Sequence, residues 1–224
     1  MNKKGFTLSE VLITLGVIGI VAVLTIPGVM KNYQNRLYTA QLEKIYAQIS
    51  DATQSIMNDQ HVDNFSETTA VRMPAMLDSA GNCNGGMCDF LNKYFKTVKK
   101  NCRNNTAEAC LSTKSGVYKT IGGTTISAPA SGYFVQTITG AAIGARLTTG
   151  TPRKLQLIVD INGLAEPNTI GRDVFSIEVR ENGTLTDVDD AKGDICTKGG
   201  TALMYTAPQG CLNRIIEDGW KMEY

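Results

Sequence analysis

Histidine is almost missing from this chain: His61 is the single one in 224 residues. A Ser-His-Asp or Cys-His nucleophilic system would rest wholly on that residue, and its polar surroundings mark it as a surface side chain. No C-x-x-C pair occurs, which removes the common zinc and thiol-redox signatures. Neither a G-x-S-x-G nucleophile turn nor a P-loop is found. No sign of charge dominates, because 22 basic and 21 acidic residues leave a formal charge of +1; the chain as a whole lacks the footprint of a polyanion binder. There is no internal repeat and no long low-complexity segment. Paired carboxylates for glycosidic chemistry need no motif, so they are not excluded, but nothing marks them. The expectation is a protein that is not an enzyme, with no catalytic residue, no metal ligand set and no cofactor.

Formal charge is also missing from Val11 to Met30, twenty residues in a row. At ~1.5 Å rise per residue such a helix is about 30 Å long, the thickness of a bilayer's hydrocarbon core. Lys3 and Lys4 precede it and place that end on the cytoplasmic side. A cleaved secretory signal needs a shorter apolar region of ~7–15 residues and a small-residue cut site beyond it; Thr25-Ile26-Pro27-Gly28 offers none. A plain anchor fits the length and the lysines but gives no role to Glu10, a carboxylate at the mouth of the run. Ionisable groups in such positions are costly and mark function.

The stretch Lys3-Lys4-Gly5-Phe6-Thr7-Leu8-Ser9-Glu10-Val11-Leu12-Ile13 resembles the N-terminus of a type IV prepilin or a type II secretion pseudopilin. The resemblance implies cleavage by prepilin peptidase between Gly5 and Phe6, N-methylation of Phe6, and a filament-assembly role for Glu10, which in the family pairs with the N-terminus of a neighbouring subunit. Glu10 lies about one helical turn from Phe6, so the sequence leaves an intrachain partner equally open. Gly5, without a side chain, lets a protease approach the backbone closely. Gly19 and Pro27 fall where this family loosens its long helix, and Pro27 is expected to kink it. Implied partners are the peptidase, other pilin or pseudopilin subunits, an inner-membrane assembly platform with its cytoplasmic ATPase, and membrane lipid. The implied location is the cytoplasmic membrane, crossed once with the head outside the cytoplasm, and then the pilus or pseudopilus. The large head points to a minor or specialised subunit, and the presence of Glu10 argues against the family's tip subunit.

The helical pattern continues past Met30. Tyr38, Leu42, Ile45, Ile49, Ala52 and Ile56 form one apolar stripe, with Gln41, Glu43, Lys44, Gln48 and Asp51 mostly on the other side. The domain reading is a leader at 1–5, a transmembrane or filament-core helix at 6–30, an amphipathic continuation at 31–60, and a disulfide-bonded globular head at 61–224. Within the head, Val71–Asp78 is read as a short helix or turn and Met87–Lys100 as a helix. Strands are expected from a Val117–Ile126 hairpin, Gly132–Thr139, Leu155–Ile161, Asp173–Arg180 and, after an Asn182-Gly183 turn, Thr184–Val188. The fold class is α+β: pilin-like, a long N-terminal α-helix with a transmembrane half and an amphipathic half, packed on an antiparallel β-sheet head. The segments Val159–Gly163, Pro167-Asn168 and Gly171–Phe175 also resemble a stretch of poorly characterised prepilin-like proteins, without adding an activity.

Six cysteines, at 83, 88, 102, 110, 196 and 211, all follow the membrane segment. An even number in a translocated domain reads as disulfides, and spacing favours Cys83–Cys88, Cys102–Cys110 and Cys196–Cys211. The last would close a C-terminal loop as in many pilins, at about 3 kcal/mol in the chain-entropy treatment. Calcium is a minor candidate, at Asp187–Asp194 and at Asp160-Ile161-Asn162-Gly163, neither of which completes an EF-hand pattern. Lys93, Lys96, Lys99, Lys100 and Arg103 cluster beside Tyr94 and Phe95. This is read first as the solvated face of a helix and second as a nucleic-acid contact. From a different class, the alternative function is a membrane-tethered extracytoplasmic binding module, for DNA in a competence filament or for a surface ligand.

Overall fold

The computed structural model describes residues 5, 7–73, 77, 82–102, 109–112, 116–127, 132–190, 196 and 210–224. The chain divides into two units, Met1–Leu37 and Tyr38–Tyr224. The first helix, α1 (Leu8–Gln60), contributes residues 8–37 to the first unit and 38–60 to the second.

From Val11 to Met30 α1 carries no formal charge on any side. Its most apolar 18-residue window has a mean hydropathy of 2.4, long and apolar enough to cross a membrane. Leu12, Ile13, Leu15, Ile18, Ile20, Val23 and Leu24 are all exposed within the unit, as a lipid-facing or partner-facing helix requires. Thr14 and Thr25 turn their hydroxyls back onto the carbonyls of Val11 and Val21, at 3.0 and 2.9 Å, so neither presents an unsatisfied polar group. The helix runs on through Pro27.

The second unit is built on a meander. The strands are β1 (Thr97–Lys100), β2 (Tyr133–Thr137), β3 (Ala142–Leu147), β4 (Leu155–Asp160), β5 (Val174–Val179) and β6 (Leu185–Thr186), paired antiparallel in sequence order. The chain therefore forms an α+β arrangement of pilin type, a long N-terminal helix followed by a six-stranded antiparallel sheet. On one face, Leu42, Ile45, Ile49, Ala52 and Ile56 of α1 pack with Tyr133, Val135, Ile143, Ala145, Leu155, Leu157, Val159, Phe175 and Ile177. Period 3.6 on the helix meets period 2 on the strands, and each fully buried Leu or Ile contributes about 1.5–3 kcal/mol. On the other face, Phe134, Ala142, Ile158 and Val174 pack with Tyr118, Leu111, Ile126, Ile170 and the Cys102–Cys110 disulfide. A sheet covered on both sides explains why β4, Leu-Gln-Leu-Ile-Val-Asp, is buried along its whole length.

Helix α2 is the single turn Thr69–Arg72, and α3 spans Met87–Tyr94. Phe90 of α3 meets Phe65 and Phe95 edge to face, with centroids 6.0 and 5.7 Å apart. The C-terminal helix, α4, spans Cys211–Glu217. Disulfides join Cys83 to Cys88, Cys102 to Cys110 and Cys196 to Cys211.

Several expected elements differ. The helix read from Met87 to Lys100 stops at Tyr94; Phe95 is extended, and Thr97–Lys100 becomes the edge strand β1. Thr97, Lys99 and Lys100 gain strand partners in β2, with a register shift between Thr97 and Lys99, and this pairing is not visible to local helix propensity. The Val117–Ile126 hairpin forms, but as a short one: around the antiparallel Lys119–Thr125 bridge, the Ile126 N–H donates to the Tyr118 carbonyl and the Thr120 N–H to the Thr124 carbonyl, each at 2.9 Å. Strand β3 lies outside the expected strands: Gly144 and Ala145 have low strand propensity, yet β2 and β4 flank them on both sides. Of the Val71–Asp78 segment only the end of α2 is helical among the described residues.

Candidate functional site

The entry to the membrane helix is organised by a capping box. Thr7 precedes the first helical residue, Leu8, and Glu10 sits three positions after Thr7. The Thr7 backbone N–H and hydroxyl both donate to Glu10 Oε2 at 2.8 Å. The Glu10 N–H returns to Thr7 Oγ1 at 3.3 Å. Two of the helix's orphan N–H groups are thereby satisfied, and the negative charge lies at the positive end of the helix dipole. Glu10 Oε1 has no hydrogen bond to any described residue. Gly5 is exposed with open space around its Cα; Phe6, the residue expected to be methylated, lies outside the described residues. The T-x-x-E spacing was available in the sequence as a cap, a role that the membrane-embedded reading of Glu10 obscures.

The remaining candidates belong to the second unit. His61 is the C-terminal punctuation of α1, not a catalytic base in a cleft. It adopts φ 54°, with its N–H on the Asn58 carbonyl at 3.2 Å and the Val62 N–H on the Met57 carbonyl at 3.1 Å, a Schellman-type ending. The basic cluster is not one helix face: Lys93 sits on α3 while Lys99 and Lys100 lie on β1. Lys93 pairs with Asp59 at 3.1 Å, and Tyr94 donates to the same carboxylate at 2.8 Å. Those bonds hold the Asp59 carboxyl below its usual range. Arg103 falls outside the described residues.

Of the two calcium candidates, Asp187 accepts the Leu212 N–H at 3.0 Å and caps α4; residues 191–194 lie outside the described residues. Asp160 is the last residue of β4, and Asn162 and Asp173 lie in the β4–β5 connection. Asp160 Oδ1 accepts the Asn162 N–H at 3.3 Å, and Asn162 Nδ2 donates to Asp173 Oδ2 at 3.2 Å. Among the described residues no group of three or more His, Cys, Asp or Glu side chains is placed to hold a metal ion.

Comparison with protein families places the weight on the N-terminal segment. The prokaryotic N-terminal methylation motif matches residues 1–26. The chain carries the prepilin signature. That motif, the apolar helix that runs on from it and the three disulfides fit the prepilin type, and residues 1–26 carry the signature of type IV prepilin-like and pseudopilin-like proteins. The motif implies processing by prepilin peptidase, anchoring in the membrane and assembly with other subunits, and its family is structural rather than enzymatic. Neither the comparison with curated proteins nor that with solved structures gives a match.

Proposed function

We propose that this prepilin-like chain is a structural subunit, a minor pilin or pseudopilin, of a type IV pilus or type II secretion pseudopilus. Prepilin peptidase cuts between Gly5 and Phe6, Phe6 is N-methylated, and the mature subunit polymerises through its N-terminal helix with the disulfide-bonded head outward. The observation that carries this reading is the methylation motif continuous with a helix whose apolar side chains have no partners within their own unit. Such a surface needs lipid before assembly and like helices after it.

Glu10 has a defined part in this scheme. Thr7 occupies Oε2 and leaves Oε1 to accept an ammonium group. The new α-amine of a neighbouring subunit is the natural donor, since an apolar filament core makes an unpaired carboxylate costly. The cap and the intersubunit pair use different oxygens and do not compete.

Intact mass and N-terminal sequencing of the chain from membranes containing active prepilin peptidase test the proposal. A product starting at Phe6 and carrying one methyl group is expected. Glu10→Gln should still be processed but lose incorporation into sheared filaments. A Met1 start with the peptidase active, or normal assembly of Glu10→Gln, overturns it.

A further inference from the structure

Among the described residues of the second unit, large apolar side chains are exposed at Val98 (63%), Ile138 (60%) and Leu164 (50%) and nowhere else. Single exposed apolar residues need no explanation, but these share one end of the sheet. The register fixes that end: Thr97 faces Thr137, Ala142 faces Asp160, and Asp160 faces Val174. Val98 follows Thr97 on β1, Ile138 opens the β2–β3 turn, and Leu164 lies in the β4–β5 connection. Close contacts join the three segments. The Ile138 N–H donates to the Lys96 carbonyl at 3.0 Å, and Gly163 comes so near the turn that a Cβ on it would lie 2.7 Å from the Gly140 carbonyl oxygen. The opposite end of the sheet, with its 148–154 and 180–184 connections, exposes no large apolar side chain.

Cations surround this patch. Lys96 is exposed beside Ile138. Lys119 is exposed and tied to the β4–β5 loop, its N–H on the Asn168 carbonyl at 3.1 Å and its carbonyl taking the Ile170 N–H at 2.9 Å. Arg172 belongs to the loop itself. None of the three forms a salt bridge with a described residue. Glu166 is an exposed carboxylate of the loop. Asp160 and Asp173 are fully buried and take the backbone N–H groups of Asn162 and Thr169, so they present no oxygen outward.

Apolar side chains ringed by cations without salt bridges are the composition of a surface that enters the interface of an anionic bilayer. The attachment of the chain agrees with that composition. Tyr38, where the second unit begins, meets the Asn162 side chain, so this is the end from which the head is tethered. Residues 31–37 alone separate Tyr38 from the charge-free run, a reach of less than about 30 Å.

On the membrane-anchored reading given above, we propose that this end of the head docks on anionic phospholipid headgroups of the membrane that holds the chain. Val98, Ile138 and Leu164 enter the interface, and Lys96, Lys119 and Arg172 meet the phosphates. So few groups bind weakly by themselves, but the short tether makes the step intramolecular and raises the effective concentration of lipid. The loop is already fixed by its hydrogen bonds, so docking orders little further chain. Its electrostatic part is screened by salt.

Methyl NMR of the full-length protein in nanodiscs, at one copy per disc and with a gadolinium chelate on a fraction of the headgroups, tests this. In phosphatidylglycerol discs the methyls of Val98, and of Val117 near Lys119, should broaden several-fold more than those of Leu155 and Val179 at the opposite end of the sheet. That excess should fall several-fold in phosphatidylcholine discs, in high salt, and in Ile138→Asp combined with Leu164→Asp. Both side chains are exposed, and unchanged core methyls show that the variant is folded. Lys96→Glu combined with Lys119→Glu should lose the excess as well. The same excess in both lipids and in every variant would come from the tether alone and overturns the docking. An excess seen only when a disc carries two copies assigns the patch to a second subunit and overturns it too. A chain that does not enter the discs overturns the anchored reading itself, whereas one that enters without any excess overturns only the dock.

Discussion

Gly171 and Gly123 share a backbone conformation and differ in their surroundings, which separates two energetic terms that are normally confounded. Their φ angles are +83° and +85°. Either one replaced by alanine must hold an L-residue in left-handed backbone, at about 1–2 kcal/mol. A Cβ on Gly123 would meet nothing within 4 Å. On Gly171 it would lie 2.6 Å from Cys211 Sγ and 3.0 Å from both Cys196 Sγ and the Ile121 Cδ1 atom. A disulfide tied to α4 cannot swing aside like the end of a flexible side chain, and overpacking of this kind adds about 1–3 kcal/mol. Gly171→Ala should therefore destabilise by about 2–5 kcal/mol and Gly123→Ala by about 1–2 kcal/mol. Chemical denaturation of the full chain in micelles, with matched m-values, gives both numbers. The difference should shrink when Gly171→Ala is combined with Cys196→Ala and Cys211→Ala, since the obstructing sulfurs are then gone. Equal losses in the two single variants, or a difference that survives removal of the disulfide, would show that the bridge does not press on Gly171.

Three further outcomes are expected. Lys154 donates to the buried Glu178 carboxylate at 2.7 Å, with Gln156 on its other oxygen at 3.1 Å; Lys154→Met should cost about 1–2 kcal/mol, limited because the lysine is half-exposed, and Glu178→Gln in the same chain should recover most of it in a double-mutant cycle. Ile49→Ala, at a fully buried position of α1 facing the sheet, should lower stability by about 2–5 kcal/mol, whereas Leu24→Ala, exposed in the first unit, should leave the melt of the second unit unchanged. Thr7→Val removes the hydroxyl that holds Glu10 Oε2 and should reduce assembly, with Thr7→Ser restoring it and peptidase processing intact in both; equal assembly of the threonine and valine forms in sheared fractions would separate the cap from the assembly step.

Local chemistry made much of this protein legible. A charge-free run of bilayer length, a basic leader and a lone glutamate need no tertiary context to be read, because lipid imposes the same rule on every residue of such a segment. The stripe from Leu42 to Ile56 was equally plain, since a helix repeats its buried face at fixed spacing, and the Asn182-Gly183 turn carries its own conformational signature. The cysteines that the structure pairs are sequence neighbours, so each bridge closes a short loop.

What only the tertiary structure decided lies where two distant segments determine one residue's state. Thr97–Lys100 is a strand because β2 lies beside it, and Gly144-Ala145 is a strand because β2 and β4 hold it from both sides. Asp160 and Asp173 are loop-edge residues in the sequence, and hydrophilic ones; folding buries both, with Asn162 hydrogen-bonded to each. Asp187 looks like part of an acidic loop until α4 arrives with an uncapped N–H. Sequence sets the periodicities that depend on one segment at a time. Partner choice along a sheet edge, and the dielectric around a carboxyl group, depend on what the rest of the chain brings there.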